Sequence, residues 1–186
     1  MASSKAVLPS VVLVLRLLAL GLLAGSIALI VTDKVKVNSV FLVGGNFTLS
    51  FKDVYSYRYV LGIAAVGCAY TLLHIPLAAI TIATRKRVIG GKANVALFLI
   101  CADLVFAIAF ATGAGACFGV SYDLKRYTDE VHDTLDSATK ARSDIIEIYH
   151  DLDRFYVHGY AAASLMLAAA KCIAVVIVIS VYAVVK

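Results

Sequence analysis

Four long apolar segments constrain the fold of this chain more than any other feature. They cover residues 9–31, 59–83, 93–120 and 157–185, and each is as long as the stretch of about 20 residues that an α-helix needs to cross a bilayer. Hydrophobic residues make up 62% of the 186 residues and charged residues 16%, whereas about a quarter of the residues in a soluble domain are charged. The sequence therefore predicts an all-α membrane protein, a single four-transmembrane-helix bundle over residues 1–186.

The charges around these segments orient the bundle. The connection at residues 84–92 carries four basic residues and no acidic one, namely Arg85, Lys86, Arg87 and Lys92. Because cytoplasmic connections are enriched in Lys and Arg, this connection and both termini are predicted to be cytoplasmic, and connections 32–58 and 121–156 extracellular. A cleaved signal peptide is the alternative for the first segment, since Lys5 precedes it and Ala24–Ser26 is a small-residue sequence.

The distribution of charge also indicates the partners. The net charge is +5, but the connection at 121–156 holds nine acidic against five basic residues, so the excess of positive charge lies beside the membrane on the cytoplasmic side. Such a short cluster suits anionic lipid headgroups. We therefore expect membrane lipids as partners and no nucleic acid.

The first extracellular connection is predicted to contain a small β-hairpin. Two β-prone runs within residues 39–51 flank Gly44 and Gly45, which supply the positive φ that a tight turn requires. The sequence Asn46–Thr48 reads NFT, a glycosylation sequon. It makes Asn46 a candidate glycosylation site on the predicted outer side.

The third connection is predicted to be an extracellular helical extension. It contains no Gly or Pro between Val120 and His158, and its apolar residues recur mostly at steps of three or four. A turn is predicted within residues 137–144, and the acidic surface is a candidate contact for an extracellular protein. The pairs His132/Asp133 and His150/Asp151 lack the matched spacing of a metal site, so we expect no metal.

The cysteines exclude several four-span families. Cys68, Cys101, Cys117 and Cys172 all fall inside the apolar segments, and no CxxC motif occurs. A disulfide or zinc framework is therefore not expected. Claudins and tetraspanins have the same helix count, but their cysteines in the extracellular loops are missing.

Charged residues inside the segments are predicted to pair. Lys5 precedes Arg16 by 11 residues, as Lys92 precedes Asp103, a rise of about 16 Å along a helix. Both charges would lie near the bilayer centre, where an unpaired charge costs at least about 2.5–3.5 kcal/mol. We expect an Arg16–Asp103 contact; the alternative is that Arg16 extends to the inner interface.

Two further polar residues lie deep in the predicted helices. Lys171 is a competitor for the Asp103 carboxylate, or it lies at a helix interface or in a polar cavity. His74 is an interhelical hydrogen-bonding residue or, alternatively, a proton relay. Pairs of small residues four apart, which favour close helix packing, occur at Gly21, Gly25, Gly115, Gly119, Gly159 and Ala163.

Two classes of function remain from the residues alone. No nucleophile, base and orienting group converge and no cofactor motif appears, so the sequence predicts neither an enzyme nor a cofactor. One intramembrane acid and no convincing internal repeat favour a scaffold. The alternative is a small ion channel or proton-coupled transporter that uses the intramembrane charges, because such residues also mark transport paths.

Several stretches resemble one known family. The first segment LRLLALGLLAGSIALIVTDK, the stretch FKDVYSYRYVLGIAAVGCAYTLLHIP, Asp103 in the third segment, ATGAGACFGVSYDLKRY and DRFYVHGYAAASLMLA are similar to the Casparian strip membrane domain protein-like (CASP-like) family of plants, outside its founding Casparian strip group. Arg16 and Asp103 match the charge pair that is the hallmark of that family.

The resemblance implies a multi-pass plasma-membrane protein with both termini cytoplasmic, distantly related to MARVEL domains. It implies homo-oligomers, or hetero-oligomers with related four-span proteins. For the founding members it implies stable membrane platforms that recruit cell-wall-modifying enzymes. We therefore expect an oligomerising membrane scaffold in which Arg16 and Asp103 fix helix packing.

Overall fold

The computed structural model describes residues 4–39, 45–50, 52–84, 93–136 and 142–185. Their secondary structure, in chain order, is α1 Ser4–Thr32, β1 Lys34–Ser39, β2 Gly45–Ser50, α2 Tyr55–Thr84, α3 Ala93–Asp136 and α4 Arg142–Val185. The basic residues that orient the chain, at positions 85–92, and the centre of the turn predicted between the last two helices lie outside the described residues.

All four helices are long and apolar enough to cross a membrane. The qualifying stretches are Pro9–Thr32, Tyr55–Pro76, Leu97–Glu130 and Tyr149–Val185. The prediction of an all-α four-span bundle is therefore confirmed at this level, and the exact membrane boundaries stay a prediction. Helix α3 continues to Asp136 and α4 begins at Arg142, because no Gly or Pro stands between Val120 and His158 to end either helix.

The two short strands lie between α1 and α2. They pair antiparallel in a register that runs from Lys34 opposite Ser50 to Ser39 opposite Gly45. Strand β1 starts upstream of the predicted run at 39, in a segment where Val and Lys alternate, the pattern of a half-buried strand. A turn follows β2, in which the Asp53 carboxylate accepts hydrogen bonds from Ser50 N (2.9 Å) and Ser50 Oγ (3.1 Å), and this turn leads into α2.

The four helices pack in a ring, in which α1 and α3 each contact both α2 and α4. The largest fully buried apolar side chains, drawn from all four helices, are Phe110, Phe155, Leu23, Met166, Ile173, Val60 and Val176. On α1 the buried positions are Arg16, Ala19, Leu23, Ser26 and Ile30. Their spacing of three and four places Arg16 on the same face as the apolar core of the helix.

Candidate functional site

Arg16 and Asp103 form a buried ion pair between α1 and α3. Arg16 Nη2 lies 2.6 Å from Asp103 Oδ2, and the two side chains are 6% and 2% exposed. The pair links helices that are far apart in the sequence. Removing one partner of a buried pair leaves an uncompensated charge, which typically costs about 3–5 kcal/mol.

Tyr70 on α2 completes the hydrogen bonding of the carboxylate. Its hydroxyl donates to Asp103 Oδ1 over 2.7 Å, and its ring stacks on Phe106 with the centroids 4.1 Å apart. Both carboxylate oxygens are thus bonded, one by α1 and one by α2. Sequence reasoning missed Tyr70 because one tyrosine in an apolar segment has no spacing that marks it.

His74 lies beside Tyr70. No hydrogen bond in the described part of the chain joins it to the Asp103 carboxylate. Its Nδ1 is 3.0 Å from the carbonyl oxygen of Tyr70, one turn earlier in α2, and the two rings are 4.2 Å apart. Within the described part of the chain, two buried nitrogens lack a hydrogen-bond partner, His74 Nε2 and Arg16 Nη1. Arg16, Tyr70, His74 and Asp103 therefore form one polar cluster, which we call the charge cluster.

Lys171 lies elsewhere. It is exposed on the surface of α4, and no ion pair or hydrogen bond joins it to another described residue. The carboxylate for which it was expected to compete is already bonded by Arg16 and Tyr70. The charge cluster therefore contains three of the four polar residues singled out in the sequence, together with Tyr70.

The small residues predicted to pack helices divide into two groups. A Cβ added to Gly25 would lie 3.3 Å from Leu165 Cδ1, one added to Gly159 would meet the hydroxyls of Tyr57 and Ser121, and Ala163 is fully buried. In contrast, Gly21, Gly115 and Gly119 are exposed and have nothing within 4 Å of an added Cβ. These three glycines therefore make no close helix contact with the described part of the chain, because their faces point away from the bundle.

Two other glycines make close contacts that the spacing rule did not identify. A Cβ on Gly67 would collide with the ring of Phe110, and one on Gly113 would lie 2.8 Å from Met166 Cε. Both belong to buried faces, whereas the GxxxG-like pattern in α3 lies on the opposite side. Small-residue spacing alone therefore does not identify which face of a helix is buried.

A second set of hydrogen bonds, further along the helices from the charge cluster, links α2 to α3, α1 to α4 and α3 to α4. Tyr57 Oη and Ser121 Oγ are 2.9 Å apart across α2 and α3, and Ser26 Oγ donates to the Ala162 carbonyl on α4 over 2.9 Å. The Cys117 thiol donates to the Gly159 carbonyl over 3.4 Å. These bonds place a second polar layer about ten residues along α1 from Arg16.

A partly buried contact joins the residue that follows α1 to α4. His158 Nδ1 lies 3.1 Å from Asp33 Oδ1, and Asp33 is 11% exposed. Burial raises the pKa of Asp33, against the opposing effects of the hydrogen bond and charge of His158 and of the charge of Arg154. This contact connects the start of the strand pair to α4.

The helical extension is held by cross-helix polar pairs. Lys125 Nζ contacts Asp153 Oδ1 at 2.9 Å, and the Tyr149 hydroxyl donates to Asp129 at 2.7 Å. No group of three or more metal-ligating side chains occurs among the described residues, and the four cysteines are free thiols. Asn46 falls in β2, and its side chain is outside what the structure describes.

Comparison with known proteins identifies the family. Residues 5–172 match the Casparian strip membrane protein domain. The chain is 48% identical over 190 residues to CASP-like protein 4D1 of Sorghum bicolor, covering 98% of this chain and 94% of that protein.

A second relative, CASP-like protein 4D2 of Arabidopsis thaliana, is 34% identical over 180 residues, covering 96% of this chain and 94% of that protein. No solved structure matches. The resemblance noted in the sequence is thereby confirmed, and the four apolar helices with their buried Arg16–Asp103 pair belong to a member of the CASP-like family of membrane proteins.

Proposed function

We propose that this protein is an oligomerising plasma-membrane scaffold. The observation that carries the proposal is the Arg16–Asp103 pair, in which both carboxylate oxygens are bonded by the protein and the Asp103 side chain is 2% exposed. A closed pair of this kind holds α1, α2 and α3 in one arrangement. A carboxylate that moved ions or protons would need access from water.

The same proposal assigns the two sides of the membrane. Both termini and residues 84–92 are cytoplasmic, because of the basic cluster in that connection. The strand pair and the ends of α3 and α4 beyond the bilayer are then extracellular. Asn46 would be available for glycosylation there, and the acidic helical extension would present a surface to extracellular partners, including proteins that modify the cell wall.

Platform formation is the activity we assign to the assembled protein. Copies of this protein would form homo-oligomers, or hetero-oligomers with related four-span proteins, and would contact membrane lipids. Transmembrane helices associate through close packing and interhelical hydrogen bonds rather than through the hydrophobic effect. A rigid bundle with fixed outer faces meets that requirement, which is why we link the charge cluster to assembly.

The test compares tagged wild type with Asp103→Asn, Arg16→Leu and the double variant. Surface delivery and lateral mobility in the plasma membrane are measured by fluorescence recovery. Each single change leaves a buried group without its partner, so we expect reduced delivery and loss of slow, clustered diffusion. The double variant removes both charges and should recover part of each property.

The matched control is the exposed pair Lys125–Asp153, in which both side chains are 41% exposed. Neutralising Asp153 to Asn should change delivery little, because exposed pairs contribute about 0–1 kcal/mol. Normal delivery and normal clustering of Asp103→Asn would contradict the scaffold proposal.

A channel or proton-coupled transporter is the second candidate. It is favoured by one observation, the buried Arg16 Nη1 and His74 Nε2 that lack partners among the described residues. Purified protein in liposomes separates the two functions. The scaffold proposal predicts no proton or ion flux above that of empty vesicles, whereas a flux that is abolished by His74→Ala would establish transport.

A further inference from the structure

Lys171 lies at the middle of the apolar segment 157–185 of α4, and its position relative to two tyrosines indicates its depth. Tyr160 precedes it by 11 residues and Tyr182 follows it by 11, a rise of about 16 Å in each direction. Tyrosines concentrate at the two membrane interfaces. The ammonium group is therefore attached near the bilayer midplane, too far from either interface for a lysine side chain to span the whole distance.

The surroundings of Lys171 make this position unfavourable in a single copy. The residue is exposed on the outer surface of the bundle, and no salt bridge joins it to another described residue. Charged residues within transmembrane segments almost always face a protein interior and pair with protein groups. An isolated bundle would instead present this lysine to hydrocarbon.

Lys171 belongs to a regular exposed stripe. Every seventh residue along this face of α4 is exposed, in the series Val157, Ser164, Lys171 and Val178. We call this series the α4 stripe. Residues seven apart lie on nearly the same face of a helix, so these four residues form one continuous exposed strip along α4. Ala161 and Ala168, which lie between members of the stripe, are partly exposed and small.

A complementary exposed face lies on α3. Its members recur at steps of four and three, in the series Ile108, Thr112, Gly115, Gly119 and Tyr122, and we call this series the α3 groove. A Cβ added at Gly115 or Gly119 would meet no atom within 4 Å. The backbone is thus open to close approach by another helix.

The two faces lie at the same depth. Within one chain Gly113 is in contact with Met166, and the Phe118 and Tyr160 rings are 6.1 Å apart. Counting along the antiparallel helices from these contacts sets Ser164 level with Gly115, and Lys171 level with Ile108. Thr112, one turn from Ile108, carries a hydroxyl that donates to the Ala109 carbonyl and keeps a free acceptor site for an ammonium group.

We propose that the α4 stripe of one copy packs into the α3 groove of a second copy and so buries Lys171 against Thr112 and the groove backbone. This proposal rests on the proposed oligomerisation and specifies its interface. Two copies standing upright in one membrane present α3 and α4 antiparallel to each other, as they are within one chain. The contact therefore requires no reorientation of either copy.

The lysine also determines the symmetry of the contact. A two-fold α4–α4 interface would bring Lys171 of both copies together near the midplane, because an isologous contact pairs the same surface with itself. Like charges in a low-dielectric environment repel strongly. The interface between α4 and α3 is instead heterologous, and heterologous contacts extend into rings or open arrays.

Cysteine cross-linking tests the register directly. Ser164→Cys is introduced in one tagged copy and Gly115→Cys in a differently tagged copy, both in a Cys101→Ser background, because Cys101 is an exposed native thiol. The proposal predicts a mixed disulfide between the two copies in native membranes. Ala24→Cys, exposed at a similar depth on α1, replaces Gly115→Cys as the control and should not cross-link.

Lys171→Leu supplies the second variant. A leucine is compatible with lipid, so it removes the requirement to cover this position, and the cross-linked fraction should fall at least about tenfold. Lys171→Arg retains the charge and should retain cross-linking. Cross-linking that is unchanged in Lys171→Leu would overturn the role assigned to this lysine.

Counting copies by single-molecule photobleaching separates the two proposals. Oligomers without the Ser164–Gly115 cross-link, or with a dominant cross-link between Ser164→Cys copies, would overturn the interface and leave the scaffold proposal standing. Single copies in native membranes would overturn both proposals. A mixed cross-link in oligomers supports both.

Discussion

The Tyr70 hydroxyl donates a 2.7 Å hydrogen bond to Asp103 Oδ1 while Arg16 bonds the other oxygen of the same carboxylate. Tyr70→Phe removes this donor and keeps the ring that stacks on Phe106. A buried acceptor is then left partly unsatisfied, so the free energy of unfolding should fall by about 1–3 kcal/mol. Thermal unfolding of the detergent-purified protein measures this change.

Tyr59→Phe is the matched control, because Tyr59 lies on the same helix and is 51% exposed. It should unfold like wild type. If Tyr70→Phe also unfolds like wild type, the hydrogen bond to Asp103 contributes nothing measurable and the ion pair alone holds the carboxylate.

Gly159 lies where α4 passes the Tyr57–Ser121 hydrogen bond. A Cβ at this position would lie 2.6 Å from Ser121 Oγ and would also collide with the Tyr57 hydroxyl. Gly159→Ala should therefore lower the free energy of unfolding by about 1–3 kcal/mol through overpacking, despite the better helix propensity of alanine. Unfolding of the protein in mixed micelles, without guanidinium, measures this change in the free energy of unfolding.

Removing the obstructing hydroxyls should reverse part of that loss. Gly159→Ala combined with Tyr57→Phe and Ser121→Ala is expected to be more stable than Gly159→Ala alone, since the added methyl group then has space. Gly62→Ala is the control, because an added Cβ at Gly62 meets nothing within 4 Å. A destabilised Gly62→Ala would show that the loss at Gly159 is not due to local contacts.

Gly67 and Gly113 are the two buried glycines that small-residue spacing did not identify. The loss of stability caused by a Cβ at each position should depend on the side chain that it meets. Gly67 faces the rigid ring of Phe110, whereas Gly113 faces the terminal methyl group of Met166, which has several rotatable bonds and adapts. We expect Gly67→Ala to be the more destabilising of the two. Thermal unfolding of both variants, with Gly67→Ala/Phe110→Leu as the rescue, checks this order; equal losses would contradict it.

The fold class follows from segment length and polarity, because four apolar stretches in a chain of this size have few alternatives to spanning a bilayer. The Arg16–Asp103 contact was predicted from helix rise, which places the two opposite charges at one depth, with Lys171 as an alternative partner for Asp103 and the inner interface as an alternative location for the Arg16 side chain. Residue spacing did not predict the rotation of each helix about its axis, which decides the face that the helix buries. Gly115 and Gly119 read as packing residues in the sequence, yet the buried face of α3 contains Gly113 and Ala114.

Tyr70 and Lys171 both show that the direction in which a side chain faces was not predicted from the sequence. Nothing in the spacing of Tyr70 indicated that its hydroxyl would reach the carboxylate, because this depends on how α2 is turned toward α3. Lys171 has the depth of a candidate partner for Asp103 but lies on the opposite surface of its helix. Depth is encoded locally by the number of residues, whereas facing direction depends on the packing of all four helices.

The burial of the Asp33 carboxyl, which contacts His158, should make stability depend on pH. Burial raises the pKa of Asp33 above its ordinary value near 3.8, so the folded protein binds a proton more tightly at this group than the unfolded chain does. The stabilising contribution is complete below pH 3.8 and is lost as the pH rises through the raised pKa, since stability falls with pH wherever the folded state holds more protons.

Asp33→Asn carries no titrating group at this position and should remove that part of the pH dependence. His158→Gln removes a group that lowers the pKa of Asp33, so the loss should shift to higher pH. Thermal unfolding between about pH 4 and 7 in non-ionic detergent measures all three proteins. If the difference in unfolding temperature between wild type and Asp33→Asn is the same at every pH in this range, Asp33 does not titrate differently in the folded protein, and its contact with His158 holds α4 to the strand pair without responding to acidity.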